Sequence, residues 1–295
     1  MSPRHRLAVA LLWLTPALWS SNYLIARAAD GVIAPHMLAS LRWGLAGALL
    51  LPFAWRDFAA APAGWWRAEW PHLLVLGALG MWVCGAIVYL GAQTTSALNI
   101  GLIYAACPVG IAIIGVRLLG ERLSGTQRVS MALALAGVVY VIARGDPANL
   151  LNLRLTPGDG WIVLAALSWV AYSVLLSRWR SVLGGAARLV ATIAGGLVLL
   201  LPLTLLEAWL QPTPGLTAQG LLLGAAAALL PGALSYSAFG FIQRELGVAR
   251  SALMMYVAPL WAALLGWLML GEPPRAYHLV GAALILPAIW LASRR

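Results

Sequence analysis

The chain has 295 residues, of which 62% are hydrophobic and 9% are charged, and its formal net charge at pH 7 is +10. Soluble domains contain about 25% charged residues, so this composition excludes an ordinary soluble protein. All 19 basic residues are arginines, and nearly all of them fall between long apolar runs. The positive-inside rule of membrane proteins therefore accounts for the excess charge, and we predict no nucleic-acid partner.

Apolar runs of about 20 residues, enough to cross the hydrocarbon core of a bilayer, recur along the whole chain. They predict an all-α membrane protein with ten transmembrane helices, five in each half. The first five cover about Leu7–Ala29, Pro35–Trp55, Pro71–Gln93, Ala97–Leu119 and Gln127–Arg144. The other five cover about Gly160–Arg178, Ala187–Trp209, Thr217–Gln243, Val248–Leu270 and Ala276–Ala292.

The C-terminal part of each half carries the same pattern: an apolar helix with an internal proline, a Leu-Gly-Glu stop and a second apolar helix. Pro108 matches Pro259 and Glu121 matches Glu272, and both pairs lie 151 residues apart. A fixed period of half the chain indicates a duplication. The predicted units are a first repeat at 1–145, a linker at 146–158 and a second repeat at 159–295.

An odd number of helices in each repeat predicts that the two repeats enter the membrane in opposite directions. With the N-terminus in the cytoplasm, fourteen arginines face the cytoplasm, four face outside, and Arg42 lies inside the second helix. This bias predicts that both termini are cytoplasmic. Inverted repeats are typical of secondary transporters, whose binding site lies near the midplane between the repeats.

Short motifs occur at matching places in the two halves. They are the runs Leu18–Tyr23 and Leu167–Tyr172, Pro35 with Arg42 in the second helix, and the proline and Gly-Glu pairs described above. Their order and spacing resemble the EamA-type proteins of the drug/metabolite transporter superfamily. Within that superfamily, the length and the many aromatic residues are most similar to the bacterial aromatic amino-acid exporters.

This resemblance implies an exporter of amino acids or small amphipathic metabolites in the bacterial inner membrane. It also implies a central cavity lined by the first, third, fourth, sixth, eighth and ninth helices. The fifth and tenth helices would pack at the periphery, where dimer contacts are often assigned. The expected partners are a small-molecule substrate and the lipid bilayer, with the protein working as a monomer or a homodimer.

Polar and aromatic side chains near the middle of the predicted helices are the candidate substrate-binding residues. Hydroxyl and indole groups need partners in hydrocarbon, so these faces should point into the bundle, where they would accept an amphipathic solute. The alternative is that they only join neighbouring helices. The candidates are Ser20, Trp82, Tyr89, Tyr104, Ser168, Trp169, Tyr172, Ser235 and Met255.

Five further residues have predicted structural or mechanical roles. Pro108 and Pro259 each remove a helix hydrogen bond and act either as hinges or as static kinks. Arg42 either attracts a substrate carboxylate or is held by main-chain carbonyls, and we interpret it as structural. Glu121 and Glu272, at helix C-terminal ends, are expected to lock turns by pairing with arginine or with N–H groups of the next helix.

The sequence contains no enzyme motif, and its four histidines lie near helix ends, so we predict no enzymatic activity, no metal site and no cofactor. The central helices lack an acidic residue, which predicts facilitated export rather than proton antiport. Our first hypothesis is alternating-access export of amino acids, aromatic or otherwise hydrophobic. The alternative is export of drugs, nucleosides or other amphipathic metabolites, with proton coupling left open.

Overall fold

The computed structural model describes residues 2–210, 216–271 and 273–293. These residues form a helical bundle, and no β-strand occurs among them. Within the same ranges nine helices are long and apolar enough to cross a membrane, and Ala276–Ala292 is a shorter apolar helix. The all-α membrane fold is therefore confirmed for the described residues, while the tenth crossing stays a prediction.

We label the apolar helices α1 to α10 in chain order. In the first half they are α1 Pro3–Ala29, α2 Pro35–Ala60, α3 Trp65–Ala92, α4 in two segments, Ala97–Ala105 and Cys107–Leu119, and α5 Gly125–Ile142. In the second half they are α6 Pro157–Arg178, α7 Gly185–Leu210, α8 Ala218–Leu246, α9 in three segments, Val248–Ala252, Leu253–Val257 and Ala258–Leu270, and α10 Ala276–Ser293. A short helical turn, Ala148–Leu151, lies in the linker.

Several helix ends follow signals that are visible in the sequence. α5 begins with a capping box, in which Ser124 and Gln127 each accept a hydrogen bond from the other's main-chain N–H group. α4 ends at Gly120 and α9 ends at Gly271, and both glycines adopt the left-handed conformation, with φ of 68° and 70°. A residue with a β-carbon is strained in this conformation, whereas glycine adopts it readily. Each Leu-Gly-Glu stop therefore ends its helix at the glycine.

Two helices extend beyond their predicted limits. α2 continues past Trp55 to Ala60, because the segment after that tryptophan keeps its main-chain hydrogen bonds. α3 begins at Trp65 rather than at Pro71, since left-handed Gly64 (φ 76°) precedes the first turn. The proline thus lies inside the helix, where it removes only one N–H donor.

The same departures from regular α-helix recur in both halves. α3 contains a π-helical segment at Ala78–Ile87, and α8 contains one at Ala228–Leu234. α4 is interrupted at Ala106, and α9 passes through a 3-10 segment at Leu253–Val257, in each case just before the matched proline. Corresponding helices of the two halves therefore share their irregularities as well as their order.

The two halves pack against each other along their whole length. α1 lies against α8 and α9, while α6 lies against α3 and α4, so the first helix of each half contacts the corresponding helices of the other. α2 pairs with α7, and α5 pairs with α10. This exchange agrees with the predicted two-fold relation, although the direction of each half in the membrane stays a prediction.

Glycines allow two of these helix pairs to come into main-chain contact. Gly77 of α3 faces Gly196 of α7 so closely that a β-carbon on Gly77 would lie 2.2 Å from the main-chain nitrogen of Gly196. On α5, a β-carbon at Gly137 would lie 3.2 Å from the carbonyl oxygen of Gly281 on α10. Lipid gives little hydrophobic driving force between helices, so small residues at such crossings hold the bundle together through close packing.

Candidate functional site

The π-helical segment of α3 joins three other helices. A π-turn shifts the main-chain hydrogen-bonding pattern and leaves carbonyl groups available to outside donors. Three successive carbonyl oxygens, those of Leu79, Gly80 and Met81, each accept one side-chain hydrogen bond. The donors are the hydroxyl of Ser168 on α6 at 2.8 Å, the hydroxyl of Tyr236 on α8 at 3.2 Å and the indole N–H of Trp43 on α2 at 3.0 Å.

The π-helical segment of α8 is joined to α2 in the same way. The carbonyl oxygen of Pro231 accepts hydrogen bonds from the hydroxyl of Ser235 at 2.6 Å and from the Nη2 group of Arg42 at 2.8 Å. Arg42 is 4% exposed. Its guanidinium carbon lies 4.6 Å from the ring centre of Trp43 and 5.9 Å from that of Tyr236, so a buried cation rests against two aromatic faces.

Six aromatic side chains from four helices form one connected group, which we call the aromatic cluster. Trp169 stacks on Tyr172 with ring centres 5.4 Å apart and meets Trp19 edge-on at 5.2 Å. Tyr236 meets Trp43 edge-on at 4.8 Å. These geometries are favourable for aromatic pairs. The members are Trp19, Trp43, Trp169, Tyr172, Tyr236 and Phe239.

A cavity of about 310 Å³ lies beside this cluster, between α6, α7 and α8. Its lining combines the aromatic residues Tyr172, Trp179 and Tyr236 and two leucines with three arginines and several uncharged polar residues. We call it the arginine vestibule. No carboxylate belongs to its lining in the part of the chain that the structure describes. The arginines are Arg180, Arg188 and Arg244, and the polar side chains are Ser177, Ser181, Thr192, Ser237 and Gln243.

Arg188 occupies the most enclosed position of the three arginines. Its Nη2 group donates to the carbonyl oxygen of Trp179, while its buried Nε atom has no hydrogen-bond partner among the described residues. The nearby acid, Glu69, interacts with it electrostatically but already accepts hydrogen bonds from Ser181 and Val182. The guanidinium-bearing Arg188 thus lines the same space as Tyr172 and Tyr236, which suits a molecule with a carboxylate and an apolar body.

The predicted binding residues do not form one group in this structure. Tyr172 is the member that lines the arginine vestibule. Trp169 lies in the aromatic cluster, with its indole nitrogen 3.2 Å from the sulfur of Met255. The three serines are buried, and each hydroxyl donates to a main-chain carbonyl oxygen: Ser20 to Ala258 at 3.0 Å, Ser168 to Leu79 and Ser235 to Pro231. The contacts of Ser20 and Ser168 are those of the helix-joining alternative, whereas Ser235 bonds within its own helix. The part of all three serines in binding stays a prediction.

The other three predicted binding residues lie on α3 and α4. The hydroxyl of Tyr89 donates to the side-chain oxygen of Asn22 at 2.7 Å and accepts a longer bond, 3.4 Å, from Arg42. The hydroxyl of Tyr104 lies 3.8 Å from the sulfur of Cys84. The buried indole nitrogen of Trp82 has no hydrogen-bond partner among the residues that the structure describes.

Several side chains of the site are outside the predicted set, among them Arg188, Tyr236 and Trp43. Sequence reasoning places Arg188 at the cytoplasmic end of a helix from its charge alone. The one available signal for Arg188 as a functional residue is its position in the apolar helix α7. A charged side chain inside a membrane span is costly unless it pairs with another group. The sequence carried no signal for Trp43, because its partner is a carbonyl group that a π-turn exposes.

Glu121 joins the two halves of the chain. Its carboxylate accepts hydrogen bonds from the main-chain N–H groups of Val248 at 2.7 Å and Ala249 at 3.0 Å, so it caps the N-terminus of α9 in the other half. These partners differ from the arginine or the next helix, α5, that the sequence predicts. A carboxylate at this position also interacts favourably with the positive end of the helix dipole. Glu272 lies outside the described residues.

The two predicted hinge prolines follow the helix interruptions directly. Pro108 lies in the first turn of the segment Cys107–Leu119, directly after the interruption of α4 at Ala106. Pro259 lies in the first turn of the segment Ala258–Leu270, after the 3-10 segment of α9. A proline at that position loses no helical hydrogen bond, since the first N–H groups of a segment lack intrahelical partners. The prolines therefore begin new segments, and movement about them stays a prediction.

The sequence comparisons identify the family. A family model described as the EamA-like transporter family matches residues 6–143 and 156–294. The chain belongs to the EamA-like transporter family. This EamA-like transporter matches the model once in each half, which confirms the resemblance and the repeated organisation. Its relatives are named as transporters, and no cluster of metal ligands occurs among its described residues.

Several relatives match over nearly their whole length. A probable terminal-alkyne amino-acid exporter of Streptantibioticus cattleyicolor is 28% identical and is covered to 94%, with 98% of this chain. An S-adenosylmethionine/S-adenosylhomocysteine transporter of Chlamydia trachomatis is 24% identical and is covered to 86%, with 93% of this chain. A solved crystal structure superposes with a TM-score of 0.75 at 21% identity, covering 98% of this chain and 99% of that one, and shows that the fold is shared.

Proposed function

We propose that this EamA-like transporter exports amino acids with aromatic or other apolar side chains across the bacterial inner membrane. The observation that supports this most is the arginine vestibule, where Arg188, Tyr172 and Tyr236 line one cavity. A carboxylate would pair with the guanidinium, and an apolar side chain would lie on the rings. The amino-acid exporter among the relatives supports the same substrate class.

Transport would follow alternating access of two inverted repeats, by facilitated diffusion. Each half packs its first helix on the helices of the other half, so a shift of one half against the other would close one side and open the other. Among the described residues, no carboxylate lines the vestibule or belongs to the aromatic cluster. Without a titratable acid in this path, movement of the substrate has no evident means of coupling to protons.

The second candidate is an exporter of drugs or other small metabolites, such as nucleosides and amphipathic compounds, with proton coupling left open. This candidate is supported by the relative that is named as an S-adenosylmethionine/S-adenosylhomocysteine transporter. Such molecules also carry a carboxylate and a flat ring, which the arginine vestibule would accept in the same orientation. The two candidates therefore differ in the size of the substrate rather than in the chemistry of the site.

Counterflow in proteoliposomes distinguishes the two candidates. Vesicles loaded with unlabelled phenylalanine should take up labelled phenylalanine without a proton gradient, and vesicles loaded with S-adenosylmethionine should show little exchange. Exchange of the larger molecule alone would favour the second candidate, and uptake that stops when the proton gradient is dissipated would contradict facilitated diffusion.

Replacing Arg188 by glutamine should raise the concentration for half-maximal phenylalanine exchange about tenfold, because one charged hydrogen bond to the carboxylate is lost. Arg128→Gln is the matched control, since Arg128 is exposed on α5, away from the vestibule. Equal half-maximal concentrations for Arg188→Gln and the unmodified protein would exclude this arginine from substrate binding.

The inverted arrangement predicts the side on which two loops are exposed. Asn152 lies in the linker between the halves, and Val182, which is 60% exposed, lies between α6 and α7. A membrane-impermeant maleimide should label the Asn152→Cys variant in spheroplasts and the Val182→Cys variant only after permeabilisation. The unmodified chain is the control, because Cys107 is buried and Cys84 is partly buried. Labelling of both variants from the same side would rule out antiparallel halves.

A further inference from the structure

Arg42 is a buried cation whose charge is not balanced within the described residues. It is 4% exposed and forms no ion pair with any carboxylate in residues 2–210, 216–271 or 273–293. Of its donor groups, Nη2 binds the carbonyl oxygen of Pro231 at 2.8 Å, Nη1 makes a long contact of 3.4 Å with Tyr89, and the buried Nε has no partner. Placing an ionised group inside a bundle in this way is expensive unless it is compensated.

The contact with Pro231 does not require a cation. The same carbonyl oxygen already accepts a 2.6 Å hydrogen bond from Ser235, so Arg42 supplies its second hydrogen bond. A neutral donor such as glutamine would serve for that. The rings of Trp43 and Tyr236 stabilise the charge, but they leave the Nε–H of Arg42 without an acceptor among the described residues and Nη1 only weakly used. Nε, together with Nη2, forms the side of the guanidinium that can bind a carboxylate through two hydrogen bonds.

The position of Arg42 connects two regions of the bundle. The ring of Tyr236 lies 5.9 Å from its guanidinium carbon, and the same residue lines the arginine vestibule. Tyr89 links Arg42 to Asn22, whose neighbour Tyr23 is 50% exposed. Tyr236 therefore connects Arg42 with the vestibule.

We infer that Arg42 binds the carboxylate of the transported molecule at a second site, beyond the arginine vestibule and nearer the centre of the bundle. The substrate would first pair with Arg188 and then move to Arg42 as the Tyr236 ring turns aside. The hydroxyl of Tyr236 donates a 3.2 Å hydrogen bond to the carbonyl oxygen of Gly80, and its ring packs against Trp43 and Trp169, so this movement must break the bond and shift the ring contacts. The inference rests on the proposed function only for the identity of the substrate. It requires that the substrate carries a carboxylate, whichever of the two candidate functions is correct.

The test compares two probes that differ only in charge: phenylacetate and its neutral amide, phenylacetamide. Thermal unfolding of the purified protein in detergent, titrated with each probe, measures the two dissociation constants. Every protein in this test carries Arg188→Gln, which removes the preference of the vestibule for a carboxylate. With Arg42 intact we expect phenylacetate to bind at least about tenfold more tightly than phenylacetamide, and with Arg42→Gln added we expect the two probes to bind equally. Arg128→Gln should keep the full preference.

Arg42→Lys provides a second test in case Arg42→Gln does not fold, because lysine keeps the positive charge but lacks the planar guanidinium. It should retain a preference for phenylacetate that is reduced severalfold. A folded Arg42→Gln protein with undiminished preference, or a protein with Arg42 intact that shows no preference, would overturn the inference. Amino-acid counterflow separates the two proposals. If counterflow is absent but phenylacetate is still preferred through Arg42, only the proposed amino-acid substrate is contradicted. If counterflow is present but Arg42→Gln leaves the preference for phenylacetate unchanged, only the proposed role of Arg42 is contradicted.

Discussion

Replacing Gly77 with alanine is expected to destabilise the protein by about 3 kcal/mol, the upper end of the range for overpacked interiors. The added β-carbon would lie 2.2 Å from the nitrogen of Gly196, 2.6 Å from the oxygen of Thr192 and 2.7 Å from the carbonyl carbon of Gly195. All three are main-chain atoms of α7, and none can turn aside as a side chain would. α3 and α7 must therefore separate along this crossing.

The effect should extend into the candidate site, because Gly77 directly precedes the π-helical segment that starts at Ala78. A shift of α3 would stretch the hydrogen bonds that join this segment to α2, α6 and α8. The melting temperature in detergent and the monodisperse yield both measure the loss. Gly44→Ala is the matched control, since a β-carbon at Gly44 on α2 meets no heavy atom within 4 Å. Equal melting temperatures for the two variants would refute close packing at Gly77.

Glu121→Ala is the second substitution for which we expect a large loss of stability, about 3 kcal/mol, from two charge-assisted hydrogen bonds. The carboxylate caps α9 through the N–H groups of Val248 and Ala249. With alanine, both N–H groups at this partly buried helix end lose their acceptor. Glu121→Gln keeps one acceptor oxygen but no charge, so its loss should be intermediate.

Thermal unfolding of the three proteins, unmodified, Glu121→Gln and Glu121→Ala, should give melting temperatures in descending order. Glu245→Ala serves as the control for loss of a glutamate at a helix end. Glu245 pairs with Arg4, whose side chain is 71% exposed, and exposed pairs of this kind contribute about 0–1 kcal/mol. If Glu121→Ala melted no lower than Glu245→Ala, the carboxylate would not be holding the two halves together.

Local signals in the sequence account for most of the helix ends. The capping box at Ser124 and the glycines of the two Leu-Gly-Glu stops act within a few residues, so their effect on the chain can be predicted without knowledge of the fold. The start of α3 could not be predicted in this way. Pro71 suggested a first turn, but a proline is also tolerated inside a long helix when neighbouring helices compensate for the missing hydrogen bond.

The candidate site was less accessible to sequence reasoning than the fold. Ser168 and Trp43 are ordinary residues for a transmembrane helix, and their importance comes from the carbonyl groups of Leu79 and Met81. Those carbonyl groups become available because α3 adopts a π-helical pattern at Ala78–Ile87, a mostly apolar stretch that contains no proline. No residue type marks that change, so neither the donors nor the acceptors could be paired in advance.

The sequence by itself determined that this is a helical membrane protein of two repeats, because bilayer thickness, helix capping and duplication all leave periodic patterns along the chain. Tertiary structure alone decided which polar groups meet. Glu121 caps a helix of the other half, Arg42 reaches a carbonyl group of α8, and Arg188 lines one cavity with two tyrosines. Such pairings depend on the relative height and rotation of packed helices, and those are set by the close approach of main chains at residues such as Gly77.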